Sequence, residues 1–276
     1  DLYKVAATAI KKHDPSLKVG GPATTGVKSP IVKPFLEYCK TNNIPLDFFT
    51  WHSYNNNPYL VLEETEYIRS LLDEYGFNKT ENHLNEWHYL NSWEELFPKK
   101  DELEEFKHLR DNYATTVGPI GAAYVASVLM LLQDSSMDVA NFYAADTNLF
   151  SMFDEFGVPS KVYYAFKAFN QLAQTESRVK VNSNVQDRNV ISCAGISSDK
   201  QKGIVLISNY SETEKDYQMI MENFTDNLKA QYNYTVYMVD EERDLELTVK
   251  DKLNASDATL TIKLLPYSVA LVTLEK

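Results

Sequence analysis

Hydrophobic and polar positions alternate with two different periods along this chain, and the period changes once. Residues 2–13 place Leu2, Val5, Ala6, Ala9 and Ile10 on one helical face, and Asp14-Pro15 ends the pattern. "LKVGGPAT" predicts a short strand brought to an abrupt stop by a Gly20-Gly21-Pro22 turn, and "SPIVKPFLEYCKTNNIP" a helix with Pro30 near its first turn. "LDFFTWHSYNN" predicts an apolar strand ending in polar and aromatic groups, and "NPYLVLEETEYIRSLLDEYGF" an amphipathic helix closed by Gly76. "ENHLNEWHYL" predicts the next strand. An acidic helical excursion from Trp93 to Arg110 follows, then an apolar helix opened by Pro119 and running to about Gln133. "DVANFYAADT" and "PSKVYYAFKAFNQLA" close this part as a strand and its helix.

Strand and helix therefore alternate, which implies parallel strands joined by helical crossovers, in an open sheet or a (β/α) barrel. Polar and aromatic residues at the C-terminal ends of the strands favour the barrel, whose sites are assembled on that face. After about Thr175 the pattern becomes short alternating runs rich in Val, Ile, Thr and Tyr: "RNVISCAGIS", "KGIVLISNYS", "NYTVYMVD" and "ATLTIKLLPYSVALVTLE". Turn-formers separate them, as in an antiparallel sandwich. The expected organisation is an α/β domain over residues 1–174 and an all-β sandwich over 175–276. The opening helix reads as already in progress, so the sequence is expected to begin inside a larger unit.

Composition narrows the partners. A formal charge of −12, from 39 acidic and 27 basic residues, argues against nucleic acid or an anionic membrane surface, which reward clustered Lys and Arg. No run of about 18 apolar residues occurs. The 18 tyrosines, 13 phenylalanines and 3 tryptophans suit stacking on sugar rings, although many must form core. Cys39 and Cys193 lie far apart and offer neither a disulfide framework nor a thiolate metal site. His52, His83 and His88 lack the spacing of a helical ligand pair, so neither a metal nor any other cofactor is expected. Localisation stays open, with a secreted or periplasmic setting compatible.

One carboxylate stands apart. In "NHLNEWHYLN" (82–91), Glu86 sits at the end of the predicted strand among aromatic and amide side chains, where partial burial and hydrogen-bonding neighbours can set its protonation. A surface glutamate is the plainer alternative. The acidic runs "LEETE" and "KKDELEEF" read as solvated helix faces. The Gly20-Gly21-Pro22 stretch lacks the residues of a phosphate loop.

"LYKVAATAIKKHDPSLKVGGPAT", "LDFFTWHSY" and "LNEWHY", followed by a closing "LPYSVALVTLE", together resemble the second half of a retaining glycoside hydrolase of clan A. The family 39 β-xylosidases and the family 51 arabinofuranosidases are most alike. The resemblance covers the whole chain and implies the C-terminal half of a (β/α)8 TIM barrel, units five to eight, followed by the β-sandwich. It makes Glu86 the catalytic nucleophile at the end of strand seven, and places Tyr54, at the end of the preceding strand, to donate to it. His52 lies two residues before Tyr54 and so on the same face; a core histidine is the alternative. Trp87 and His88 flank the nucleophile, and Asp146 ends the last strand; these join His52 and Tyr54 as candidate substrate contacts, with an N-cap as the other reading of Asp146. Strand alternation would turn Trp87 away from Glu86 unless the strand has ended there.

The implied substrate is an oligosaccharide or glycoside. A retaining glycosidase needs two carboxyl groups about 5–5.5 Å apart, and the family's acid/base, in an Asn-Glu-Pro motif on strand four, does not occur in this sequence. Reading "NEW" as that motif reverses the order of the strands, and Glu155 in "FDEFG" is poorly placed to serve as nucleophile. Four strands of a barrel also leave two open edges, so a preceding N-terminal half, or a second chain, is expected to cover them. A non-catalytic carbohydrate-binding or structural fragment is the competing reading.

Overall fold

The computed structural model describes residues 2–96, 102–146, 149–182, 187–222, 231–254 and 259–276. The chain forms two compact units, one from residues 1–92 with 131–143, the other from 93–130 with 144–276.

In the first unit, helix α1 (Leu2–His13), strand β1 (Gly20–Thr24), α2 (Val32–Thr41), β2 (Phe48–Asn55), α3 (Pro58–Glu74), β3 (Glu81–Tyr89) and β4 (Val139–Phe142) build a four-stranded sheet in the order β1-β2-β3-β4. Every neighbouring pair is parallel. This is the topology of consecutive barrel units. α3 shows why the segment is helical: Asn57 caps it by accepting from the Tyr59 N–H at 3.1 Å, Pro58 occupies the first turn, and Gly76 at φ +87° takes the chain out. Its buried Val61, Thr65, Ile68 and Leu72 form one stripe, the i, i+4, i+7 spacing of a helix packed on one side.

β1 departs from the expected turn. Gly20, Gly21 and Pro22 lie inside the strand, paired with Phe48, Phe49 and Thr50 of β2. Two features allow this. A side chain at Gly20 would begin 2.2 Å from the Phe48 ring, so the glycine makes room for that ring. Pro22, which has no N–H to give to a ladder, sits on an edge strand of the sheet.

β2 is two-faced. Phe49, Trp51 and Ser53 are buried, whereas His52 and Tyr54 keep partial exposure. The Trp51 indole N–H donates to Asn82 Oδ1 at 2.8 Å, and Asn82 Nδ2 donates to the Thr65 carbonyl of α3 at 3.0 Å. Trp51 thus packs toward the helices, and its one polar atom is satisfied in the core.

The second unit contains α4 (Trp93–Leu96), α5 (Glu102–Val117), α6 (Pro119–Leu131) and α7 (Lys161–Ala173) together with the antiparallel strands. α6 is apolar on all sides, and nine of its residues are buried, as a helix without a polar face must be. The side chains of the acidic run "KKDELEEF" lie outside the described residues. Strands β5 (Ser177–Val179), β6 (Val190–Ile196), β7 (Lys202–Asn209), β9 (Gln231–Val239), β10 (Asp244–Asn254) and β12 (Ser268–Glu275) form one sheet in the order β10-β9-β12-β7-β6-β5; β8 (Lys215–Ile220) pairs with β11 (Thr259–Leu264) in a second. Ile207, Val236, Met238, Val272, Met219, Ile262 and Leu264 share the core that both sheets line. β7 is buried almost throughout; from it Ser208 donates to the Ala123 carbonyl of α6 at 2.8 Å, and Ser127 donates to Ser208. The fold is an α/β half barrel with a β-sandwich. Both cysteines are buried and neither forms a disulfide, and burial pushes the Cys39 thiol up to about 11.

Candidate active site

Glu86 lies near the C-terminal end of β3, between β2 and β4. Its carboxylate has one partner on each oxygen: the Tyr54 hydroxyl donates to Oε1, and the His52 ring meets Oε2, with Nδ1 at 3.2 Å. The Glu86 side chain is 28% exposed and that of His52 18%, so the carboxylate is held in place and still open to solvent on one side. Burial raises the Tyr54 phenol above its ordinary pKa, and the hydrogen bond to Glu86 and its charge add to the effect. Tyr54 therefore stays protonated as a donor. Among the described residues, no lysine or arginine pairs with Glu86.

The register explains how the strand delivers this arrangement. Leu84 lies opposite Trp51 of β2, but Glu86 lies opposite His52. On the other side Leu84 faces Ala140 of β4 and Trp87 faces Phe142. β3 therefore holds one extra residue against both neighbours, a bulge at Asn85–Glu86. Bulges re-aim side chains and recur beside active sites. Regular alternation would send Asn85 and Glu86 to opposite faces; here both reach His52, with Asn85 Nδ2 3.4 Å from Nε2.

A second bulge lies on β1, where Pro22 pairs with Thr50 and Thr24 with Trp51. The intervening Ala23 takes φ +57° and donates its N–H to Thr50 Oγ1 at 2.7 Å. A left-handed alanine is held against its preference, and it lies beside the strand that carries His52 and Tyr54. Behind β2, Ser53 donates to Glu64 of α3 at 2.6 Å and accepts from Asn55 at 2.8 Å. Burial raises the pKa of Glu64, and the Ser53 bond partly opposes it. This network ties the end of β2 to the start of α3.

The structure thus brings Glu86, His52 and Tyr54 together. Trp87 and His88 are fully buried: the Trp87 and Phe142 ring centres are 5.2 Å apart, edge to face, and those of His88 and Phe142 4.5 Å apart. Asp146 is exposed and belongs to the second unit. Asn85 and Ser53–Glu64 carry no signal in the one-dimensional pattern, since their roles depend on the bulge and on the helix behind the strand. Among the described residues, no group of three or more His, Cys, Asp or Glu side chains is placed to hold a metal ion.

The fold that presents this carboxylate, held by a phenol and an imidazole at the C-terminal end of a parallel strand, has counterparts among known proteins. The sequence model of glycosyl hydrolases family 39 matches residues 1–238. The chain belongs to that family. A β-xylosidase of Geobacillus stearothermophilus is 26% identical over 194 residues, 62% of this chain and 36% of the relative. A β-xylosidase of Caldicellulosiruptor saccharolyticus is 24% identical over 227 residues, 76% of this chain and 43% of the relative. The chain thus spans less than half the length of these family 39-like relatives. A glucosidase from Croceicoccus marinus shares the fold over 100% of this chain and 64% of its own, with a TM-score of 0.75 at 22% identity. A family 39 β-xylosidase from Caulobacter crescentus does so with a TM-score of 0.68 at 20% identity, over 100% of this chain and 61% of its own.

Proposed function

We propose that this chain carries the nucleophile of a retaining, β-xylosidase-like glycosidase, with Glu86 as that nucleophile. The observation that supports the reading most is the placement of the Tyr54 hydroxyl and the His52 ring on the two Glu86 oxygens, with no lysine or arginine paired to it among the described residues. An ionised carboxylate held this way is aimed, yet keeps the electron density that attack requires. In the reaction, a Glu86 oxygen bonds to the anomeric carbon as the bond to the leaving oxygen breaks; that oxygen takes a proton from the acid/base. Water, deprotonated by the same acid/base, then attacks the anomeric carbon, and the glycosyl ester breaks to restore Glu86. The acid/base is assigned to no residue of this sequence. Residues 1–174 are the barrel portion and 175–276 the sandwich.

Tyr54 and His52 hold the carboxylate and line the sugar subsite beside it. Trp87 and His88 support β3 from within the core. The substrate is a glycoside or oligosaccharide bearing a pentose, as suggested by the names of the β-xylosidase relatives.

Azide rescue tests the role of Glu86 in the protein that carries both carboxylates. With Glu86→Ala, azide attacks from the vacated face, so an aryl β-xyloside should yield the α-configured glycosyl azide. A β-configured azide would instead make Glu86 the acid/base and overturn the assignment.

A further inference from the structure

We propose that Asn85 is a positioning residue that fixes His52 as the neutral ring with its proton on Nδ1, so that Glu86 receives a hydrogen bond and not an ion pair. The catalytic consequence rests on the proposed role of Glu86; the protonation state does not.

The argument starts from the bulge. Because β3 holds an extra residue, Asn85 and Glu86 address one imidazole from the same strand, Asn85 at Nε2 (3.4 Å) and Glu86 at Nδ1 (3.2 Å). The two ring nitrogens therefore meet different partners. Asn85 presents Nδ2, which only donates, so Nε2 must accept and carries no proton. The one proton of the neutral ring then lies on Nδ1 and points at Glu86 Oε2. The opposite tautomer would set N–H against N–H at Nε2 and a lone pair against the carboxylate at Nδ1.

The amide orientation carries further information. Among the described residues, the buried Asn85 Oδ1 has no hydrogen-bond partner. Turning the amide over would call for a proton on Nε2: with Nδ1–H kept for Glu86 the ring becomes an imidazolium, and a neutral ring protonated on Nε2 would turn its Nδ1 lone pair on the carboxylate. The orientation with Oδ1 unpaired therefore corresponds to the neutral ring. Among the described residues, the titratable groups tied to this contact are Glu86 itself and Tyr54 on β2, on which Tyr143 just beyond β4 acts electrostatically. Tyr54, its pKa raised, keeps its proton and adds no charge. A carboxylate facing a neutral N–H keeps more of its nucleophilic electron density than one facing a cation.

Long-range proton–nitrogen spectra of the chain with labelled histidine test the tautomer directly. His52 is assigned by the signal lost in His52→Asn, at about pH 8, where an unperturbed imidazole is neutral. The expected pattern is a proton-bearing Nδ1 and a bare Nε2; a proton on Nε2, alone or on both nitrogens, would overturn the proposal. Asn85→Asp places an acceptor at Nε2 and should make His52 an imidazolium to higher pH. In the protein carrying both carboxylates, that variant should lower kcat/KM by about ten- to a hundredfold at low pH, the scale of one charge-assisted hydrogen bond. The loss should diminish as the imidazolium deprotonates. An equal loss at every pH would mean a merely structural effect and would contradict the proposal. If Glu86 is not the nucleophile, the nitrogen pattern still appears while Glu86→Gln leaves turnover intact, so the two failures are distinguishable.

Discussion

β3 carries two glutamates five residues apart, and they are treated in opposite ways. Glu81, at the start of the strand, forms an ion pair with Lys18 and lies 3.0 Å from His83 Nε2. The Lys18 bond, with a smaller contribution from His83, holds its carboxyl below the usual range. Glu86, at the other end, takes the Tyr54 hydroxyl and the His52 ring, and among the described residues no lysine or arginine pairs with it. In a parallel barrel the C-terminal ends of the strands form the working face and the N-terminal ends serve stability. The two glutamates match that division within one strand: an anion paired with a lysine is a tether, and one held by a phenol and an imidazole ring is left open to solvent.

Four substitutions sharpen or break the contrast. Glu86→Gln should lower turnover by at least about a thousandfold, since a nucleophile acts as an all-or-none part of its machinery, whereas Glu81→Gln should leave turnover unchanged; steady-state kinetics on an aryl xyloside compares the two. Tyr54→Phe removes one donor from the carboxylate and should cost about ten- to a hundredfold in kcat/KM. Trp51→Phe should leave chemistry intact but destabilise the fold by about 1–3 kcal/mol in urea unfolding, because Asn82 Oδ1 loses its buried donor.

The smallest effect concerns pH. The folded-state pKa of Glu81 is depressed, so its contribution to stability is present above the ordinary glutamate value of about 4.3 and is lost as pH falls through the folded value. Glu81→Gln should flatten the acid limb of the stability curve and change little near neutrality. A Glu86→Gln variant that altered the acid limb as Glu81→Gln does, while turnover persisted, would erase the distinction between the two ends.

Much of this was legible in the one-dimensional pattern, and the exceptions have physical causes. The stripe of α3 and its stop at Gly76 follow from spacing and from a backbone that only glycine adopts readily. The meeting of Glu86, His52 and Tyr54 followed from strand ends and the family resemblance. The bulge at Asn85 was passed over, although "LNEW" breaks the alternation with two polar residues between the buried Leu84 and Trp87; the partner strands place the extra residue. Gly20-Gly21-Pro22 carries turn chemistry, yet ring packing and an edge position keep it in the sheet. β8 and β10 were passed over although "DLELTV" and "KDYQMI" alternate, because both runs are short of apolar residues and rich in charge. "ATLTIKLLPYSVALVTLE" looked continuous, but Pro266 separates β11 from β12, which join different sheets.

The most direct test of the central claim is covalent trapping. An aryl fluoro-xyloside with a leaving group that needs no proton should load the protein with a single glycosyl unit, and peptide mass spectrometry should place it on Glu86, with none in Glu86→Gln. A label on any other carboxylate, or none in a protein that turns over the parent xyloside, would contradict the account.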